Sequence, residues 1–394
     1  MSDRKKIAAI ITEYRVPAHA DVIVGKFIKG FPTDEGMQEP RVDIASMYLD
    51  QIPDNDIGIK VSEKYNIPIF LSIPKALCLG GDKLAVDGVI SIGEHGNYAF
   101  NEKGQQLYPR RHFFEQISGV MATSGRSVPV FSDKHLSYNW IDSKWIYDRA
   151  VELNIPLMAG SSLPLGWRDP WLEHDLNAPI EEALMIGYGG IESYGYHGFE
   201  ALQAMVERRQ GGECGIATVQ CLEGDSVWQA GVEGLWSQSL ANAAAERANT
   251  ESGPMEEACE HPIAFLLEYR DGFRATLLQL NGFIKEEWSY AAKTNGRIEA
   301  TAIRLPGPPY PHFSYLGLNI QEMFLSHEPP YPVERTLLVS GGLDALMESR
   351  HLGHVRLETP HLSITYRAPD KMPIRPTIVS PKGASLSPFD PKEY

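Results

Sequence analysis

Lys134 stands between Asp133 and His135 at the end of an apolar run, "VPVFSDKH", and in "SYGYHGFE" His197 precedes Glu200 by three positions. On a helix that spacing puts an imidazole and a carboxyl on one face. Glu94 and His95 follow another apolar run, "VDGVISIG". Converging side chains of these types have two uses. They can transfer protons, with His197 poised near neutral pH and Lys134 shifted by burial. Alternatively they can hold a divalent metal that polarises a carbonyl or hydroxyl or activates water, with His95, His135, His197 and Glu200 as its ligands. No H-E-x-x-H or comparable spacing marks a metal site outright. Weaker candidates surround these. His19 and Asp21 open a helical stretch and read as capping or solvent-facing residues. Arg110 and Arg111 of "LYPRRHFF" could meet a phosphate or carboxylate, but adjacent arginines usually occupy solvated loop positions. Trp167, Trp171, Tyr194, Tyr196 and Trp236 could stack on a ligand's ring or fill core and interface.

The elements that must position these groups follow from the hydrophobic pattern. From Lys6 to about Ser162 the runs "KIAAII", "RVDIASMYL", "IPIFLS", "VDGVISIG", "VPVFSDK" and "IPLMAGS" alternate with turns and helical stretches. This predicts an α/β unit over residues 1–162, a Rossmann-like doubly wound parallel sheet. Ligands of such sheets lie beyond the carboxyl ends of the strands. Those positions are Thr12 to Arg15, Asp50, Glu94 with His95, and Asp133 to His135, so Glu94, His95, Asp133, Lys134, His135, His197 and Glu200 are expected to face one cleft. The first run passes through "TEYRVPAH" into its helix without a glycine, whereas glycines normally let a pyrophosphate approach the helix N-terminus. Tyr14, Arg15 and Asp50 are the residues left there to contact a cofactor. Tyr14 and Arg15 would fill much of that crevice unless Arg15 meets a phosphate.

Residues 163–366 read differently, with a helix at "GFEALQAMVERRQGG" followed by alternating segments such as "GIATVQCLEG" and "AFLLEYRDGFRATLLQL". They predict an α+β domain with an open, mostly antiparallel sheet. Residues 367–394 are proline-rich and are expected to lie extended over the surface or a neighbouring subunit. The 394 residues are 43% hydrophobic and 22% charged, enough for a large core, and the net charge of −15 argues against nucleic acid or an anionic membrane as partner. A small molecule is the expected partner. No apolar run is long enough for a signal or a span, which suggests a cytoplasmic protein. Cys78, Cys214, Cys221 and Cys259 lie far apart and read as free thiols.

Three segments in order, "VPVFSDKHLSYNWIDSKWIYDRAVELNIPLMAGSSL", "GGIESYGYHGFEAL" and "PPYPVERTLLVSGGLDALMES", resemble the Gfo/Idh/MocA family of sugar oxidoreductases. The likeness covers most of the chain. It implies that Asp133, Lys134 and His135 replace an E-K-P motif whose lysine contacts substrate and nicotinamide, and that His197 matches the family histidine. Ser193 stands where the family has a catalytic aspartate, and Glu200 is the acid after the histidine. "TEYRVPAH" takes the place of G-x-G-x-x-G, and "GEHGNY" that of T-P-x-x-x-H. The resemblance further implies that helix 332–350 packs back on the first domain and that open sheets pair into a homo-oligomer, a dimer or tetramer.

With Lys134, His197 and Glu200 as catalytic residues and Glu94, His95, Asp133, His135 and Tyr196 at the substrate, the expected function is non-redox processing of a sugar or keto-sugar. The chemistry would be that of a lyase, hydrolase or isomerase, by acid/base or metal assistance. The alternatives are an NAD(P)-dependent sugar or inositol oxidoreductase with an atypical phosphate loop, and a non-catalytic ligand-binding protein.

Overall fold

The computed structural model describes residues 4–371 and 373–376. The first strand, β1 (Lys5–Ile11), shows why its sheet is covered on both sides. Ile7, Ala9 and Ile11 enter one core while Ala8 and Ile10 enter another, so the strand has no polar face. The chain continues through α1 (His19–Lys29), a small hairpin of β2 (Phe31–Thr33) and β3 (Gly36–Gln38), then β4 (Val42–Leu49), α2 (Gly58–Tyr65) and α3 (Ile73–Leu77). After these come β5 (Gly88–Ile92), α4 (Arg110–Ser124), β6 (Val130–Asp133), α5 (Trp140–Glu152) and β7 (Leu157–Gly160). The strands lie in the order β4-β1-β5-β6-β7, all parallel. Helices α1 and α2 cover one face and α3, α4 and α5 the other. Of the six apolar runs, "IPIFLS" forms no strand of this sheet. It meets β4 through the single bridge Met47 to Ile69, because Pro68 has no amide to extend a ladder.

The second half contains β8 (Trp167–Asp169), β9 (Ile180–Gly187), α6 (Ser193–Val206), β10 (Ile216–Glu223), α7 (Asp225–Val232), α8 (Gln238–Ala245) and α9 (Met255–Ala258). These lead to β11 (Ile263–Tyr269), β12 (Arg274–Gln279), β13 (Trp288–Thr294), β14 (Arg297–Arg304), α10 (His312–Ser326), α11 (Glu334–His351) and β15 (Leu357–Glu358). The sheet order is β15-β10-β11-β12-β9-β13-β14-β8, antiparallel except where β12 meets β9. Its inner face packs on α6 and α11. Its outer face is not open across β9, β12 and β13: Leu184, Ile186, Leu278 and Ala291 pack there against Val227, Trp236, Leu240 and Ala244 of the α7–α9 segment. The face through which open sheets were expected to pair is thus covered in this stretch by the chain itself.

Two late helices join the halves. α10 lays Tyr315, Leu316, Ile320, Met323 and Phe324 on the first sheet's core. α11 contributes Leu337 to the first half and Leu338, Val339, Leu343, Leu346 and Met347 to the second. Its Thr336 hydroxyl donates to the Ala159 carbonyl at 2.8 Å, the Leu136 N–H donates to Ser340 Oγ at 3.1 Å, and the Trp140 N–H donates to Asp344 at 2.9 Å. Of the proline-rich tail, residues 377–394 lie outside the described residues. The part before them is anchored, with Ile374 N–H donating to Asn319 and Arg375 paired with Glu173. All four cysteines are free. Among the described residues no helix is long and apolar enough to cross a membrane.

Candidate active site

The order β4-β1-β5 places the switch point of the first sheet between the carboxyl ends of β1 and β5, where this fold receives its ligand. Glu94 lies just past β5 and Lys134 just past β6. Lys134 adopts a left-handed backbone, φ 62°, held by its N–H donating to the Gly160 carbonyl. Such a conformation in a non-glycine residue persists only where the surroundings impose it. The Lys134 ammonium donates to Glu94 Oε1 at 2.7 Å and to the Ser193 carbonyl at 3.4 Å. Arg110 donates to the other Glu94 oxygen at 2.5 Å. All three residues are buried, at 3%, 5% and 3% exposure for Lys134, Glu94 and Arg110. Burial alone would push the Glu94 carboxyl up, but Lys134 and Arg110 outweigh it and hold the group well below the usual carboxylate range.

Around this ion cluster stand four histidines. His19, the first residue of α1, has its Nδ1 2.7 Å from Oδ2 of fully buried Asp133. Its ring lies 5.1 Å from that of His95, 6.4 Å from His197 and 5.6 Å from Phe313. Burial, reinforced by His19, pushes His95 down to about 4 despite the opposing Glu94 carboxylate. Burial, then Lys134 and His19, pushes His197 well below its ordinary value, so it is a neutral imidazole at physiological pH rather than one poised there. His135 is pushed down by burial and by Arg110; its ring meets Tyr196 at 5.2 Å and its Nε2 lies 4.0 Å from Glu192. Burial pushes Glu192 up to about 7. Nδ1 of His95, His135 and His197, Oδ1 of Asp133 and Oε1 of Glu192 are all buried without a hydrogen-bond partner. Buried polar atoms gathered in this way are met by water or by a polar ligand.

Other expected residues stand elsewhere. Glu200 does not join His197 but reaches the end of β7, accepting from Ser161 N–H at 2.9 Å and from Ser161 Oγ at 2.5 Å. Among the described residues no three His, Cys, Asp or Glu side chains are placed to hold a metal ion, so the set of His95, His135, His197 and Glu200 is not formed. Tyr14 does not fill the crevice; its side chain is buried in the core with α1 and α2. Arg15 donates to Glu13 at 2.6 Å. Asp50 accepts from the hydroxyls of Tyr48 at 2.8 Å and of Tyr98, in the loop after β5, at 2.6 Å. Trp167 and Trp236 are buried in the packing, whereas Trp171 and Tyr194 are exposed.

Sequence reasoning missed the roles of Arg110 and His19. Arg110 opens a helix rather than sitting in a solvated loop, and it shares the apolar spacing of Phe113, Phe114, Ile117 and Met121, which was the signal for its burial. His19 faces the strand ends because it begins the helix after β1, and it pairs with Asp133 instead of capping that helix. Arg111 is likewise helical rather than in a loop, paired with Glu115 and Asp142 at partly exposed positions.

A dinucleotide finds only part of its usual seat. α1 begins without a side-chain cap, leaving amide donors for a phosphate, and Asp50 follows β4 where a ribose hydroxyl would lie. The switch point itself does not fit. The His19 and His95 rings stand across it, the Thr12 hydroxyl ties the end of β1 to the Glu94 carbonyl at 2.6 Å, and the Tyr14 N–H is taken by Asp56.

No family model and no curated protein matches the sequence. Solved structures do. GenD2 from gentamicin A biosynthesis, in complex with NAD, is 13% identical with a TM-score of 0.58, over 91% of this chain and 97% of that one. Apo scyllo-inositol dehydrogenase from Lactobacillus casei is 10% identical with a TM-score of 0.54, over 90% and 98%. Myo-inositol dehydrogenase from Lactobacillus casei, in complex with NAD(H) and myo-inositol, is 9% identical with a TM-score of 0.55, over 90% and 96%. A parallel five-stranded sheet joined to a mostly antiparallel eight-stranded one, in the arrangement of these dehydrogenases, gives the chain a Gfo/Idh/MocA-type fold.

Proposed function

We propose that the chain is a carbohydrate enzyme, an oxidoreductase acting on a sugar or cyclitol in the cleft around Lys134. The observation that carries this reading is the ring of unmet polar atoms on His95, Asp133, His135, Glu192 and His197 about the Lys134–Glu94 pair. A ligand with a hydroxyl on every carbon is one that could satisfy so many acceptors and donors at once. Lys134 would donate to the reacting oxygen, and neutral His197 would accept from or donate to a neighbouring hydroxyl. The rings of Tyr194 and Trp288, 6.0 and 6.4 Å from His197, would cover an apolar face of the sugar. NAD in the neighbouring structures, the uncapped start of α1 and the place of Asp50 support the redox assignment.

A second reading, proton-transfer chemistry on a keto-sugar without hydride transfer, is favoured by the His19–His95 pair across the switch point. One experiment separates them. NAD+ and NADP+ are titrated into wild type and His95→Ala, and both proteins are assayed at the nicotinamide wavelength against a panel of inositols and aldoses. Binding with substrate-dependent reduction supports the oxidoreductase. Turnover of a keto-sugar, detected as a changed product by mass spectrometry with no nucleotide bound by either protein, overturns it in favour of the second reading.

A further inference from the structure

The four histidines are not equivalent. His19 alone among them has a carboxylate oxygen at hydrogen-bond distance, Asp133 Oδ2 at 2.7 Å from its Nδ1; His135 is 4.0 Å from Glu192. Asp133 is the last residue of β6, laddered to Gly160 of β7 and fully buried, so its carboxyl is fixed by the sheet. A fixed carboxylate against Nδ1 selects the tautomer that carries its proton there and leaves Nε2 with a free lone pair for the cleft. The His19 ring is also wedged, with His95 and Phe313 edge-on to it and His197 beyond. Lys134, next in the chain to Asp133, supplies a cation, its ammonium 2.7 Å from Glu94 Oε1.

We infer that His19, oriented by Asp133, is the proton-transferring group of this cleft, with Asp133 as its positioning residue. The inference rests on the carbohydrate reading above. In the step assigned to it, the O–H bond of a bound hydroxyl breaks and its proton bonds to His19 Nε2. The electron pair stays on oxygen as an alkoxide facing the Lys134 ammonium. The imidazolium so formed lies against the Asp133 carboxylate, and the reverse transfer returns the proton. His95 and His197, without a carboxylate at hydrogen-bond distance, are left to bind substrate.

Two measurements test this. Nitrogen-15 NMR of histidine-labelled protein reads the His19 tautomer without any substrate. The Nδ1–H form is expected in wild type, and its loss in the isosteric Asp133→Asn. Steady-state kinetics on whichever panel substrate is turned over should show His19→Gln lowering kcat about 100-fold and Asp133→Asn about 10-fold, with KM within about twofold. A His19→Gln variant with wild-type kcat overturns the assignment, as does a His19 ring protonated on Nε2 or unchanged by Asp133→Asn. If wild type turns over no sugar or cyclitol, the carbohydrate reading has failed, and the tautomer measurement alone decides for or against the Asp133–His19 pair.

Discussion

Replacing Glu200 by Gln should flatten the dependence of stability on pH. Burial pushes this carboxyl from 4.5 up to about 7, even though the Ser161 N–H and O–H bonds favour the charged form. A carboxyl harder to ionise in the folded chain than in the unfolded one costs stability as pH rises. The folded state keeps its advantage below about pH 4.5, loses it progressively up to about pH 7, and has by then lost about 3 kcal/mol. The amide cannot ionise. Urea unfolding of both proteins at about pH 5 and about pH 8 should therefore show their stability difference moving by about 2 kcal/mol in favour of the variant, the rest having been lost below pH 5. Gln keeps only one acceptor oxygen for Ser161, so a constant offset against the variant is expected at every pH. Glu192, also pushed up to about 7 by burial, slopes both curves alike and cancels in the difference. Two curves that stay parallel from pH 5 to pH 8 would refute the argument, because they would mean that Glu200 is ionised in the folded protein throughout.

Glu94→Gln should destabilise the fold by about 3 kcal/mol in the same unfolding assay, because Lys134 and Arg110 would be buried without the charge they share. Gly160→Ala should cost about 3 kcal/mol or more: its backbone has φ +132°, and a Cβ there would sit 2.2 Å from Glu200 Oε1. A melting temperature unchanged by that substitution would show that α6 is not pressed against the end of β7. Lys134→Met should lower kcat/KM at least about 100-fold on the panel substrate, while circular dichroism stays native because Arg110 still neutralises Glu94.

The central strands of the first half were legible because a sheet buried on both faces writes largely apolar runs, as β1, β5, β6 and β7 do, while edge strand β4 was legible by its alternation of buried and more exposed residues. The exception, "IPIFLS", has the same composition but a proline where the ladder needed an amide. Glu94, Lys134 and His197 were found because strand ends and the family segments both point to them. The limits are equally specific. Spacing alone paired His197 with Glu200, but nothing in the sequence says that Ser161 claims that carboxyl across 39 positions. The absence of glycine after β1 was visible, yet the side chain expected to block the crevice, Tyr14, turned inward. The obstruction comes from His19 and His95, whose meeting depends on two separate loops. Cover over the second sheet was illegible for a similar reason, since alternation along β9 and β12 does not reveal which later helices return to their outer face.

The bonding of α11 has a mechanical consequence. A helix tied to Ala159, Leu136 and Trp140 on one side and packed into the second sheet's core on the other is a splint, not a hinge. Swinging the two halves apart would break those hydrogen bonds and strip apolar surface from both cores in a single event. The loop of residues 93–109 is anchored near both ends, by Glu94 in the buried ion cluster and by Lys103 and Gln105 on Asp344 of α11, but its tip is held more lightly: Tyr98 reaches Asp50 through a hydrogen bond exposed to water, which solvent can replace at little cost. Entry to the cleft is therefore expected to follow the local opening of that tip rather than the motion of whole domains.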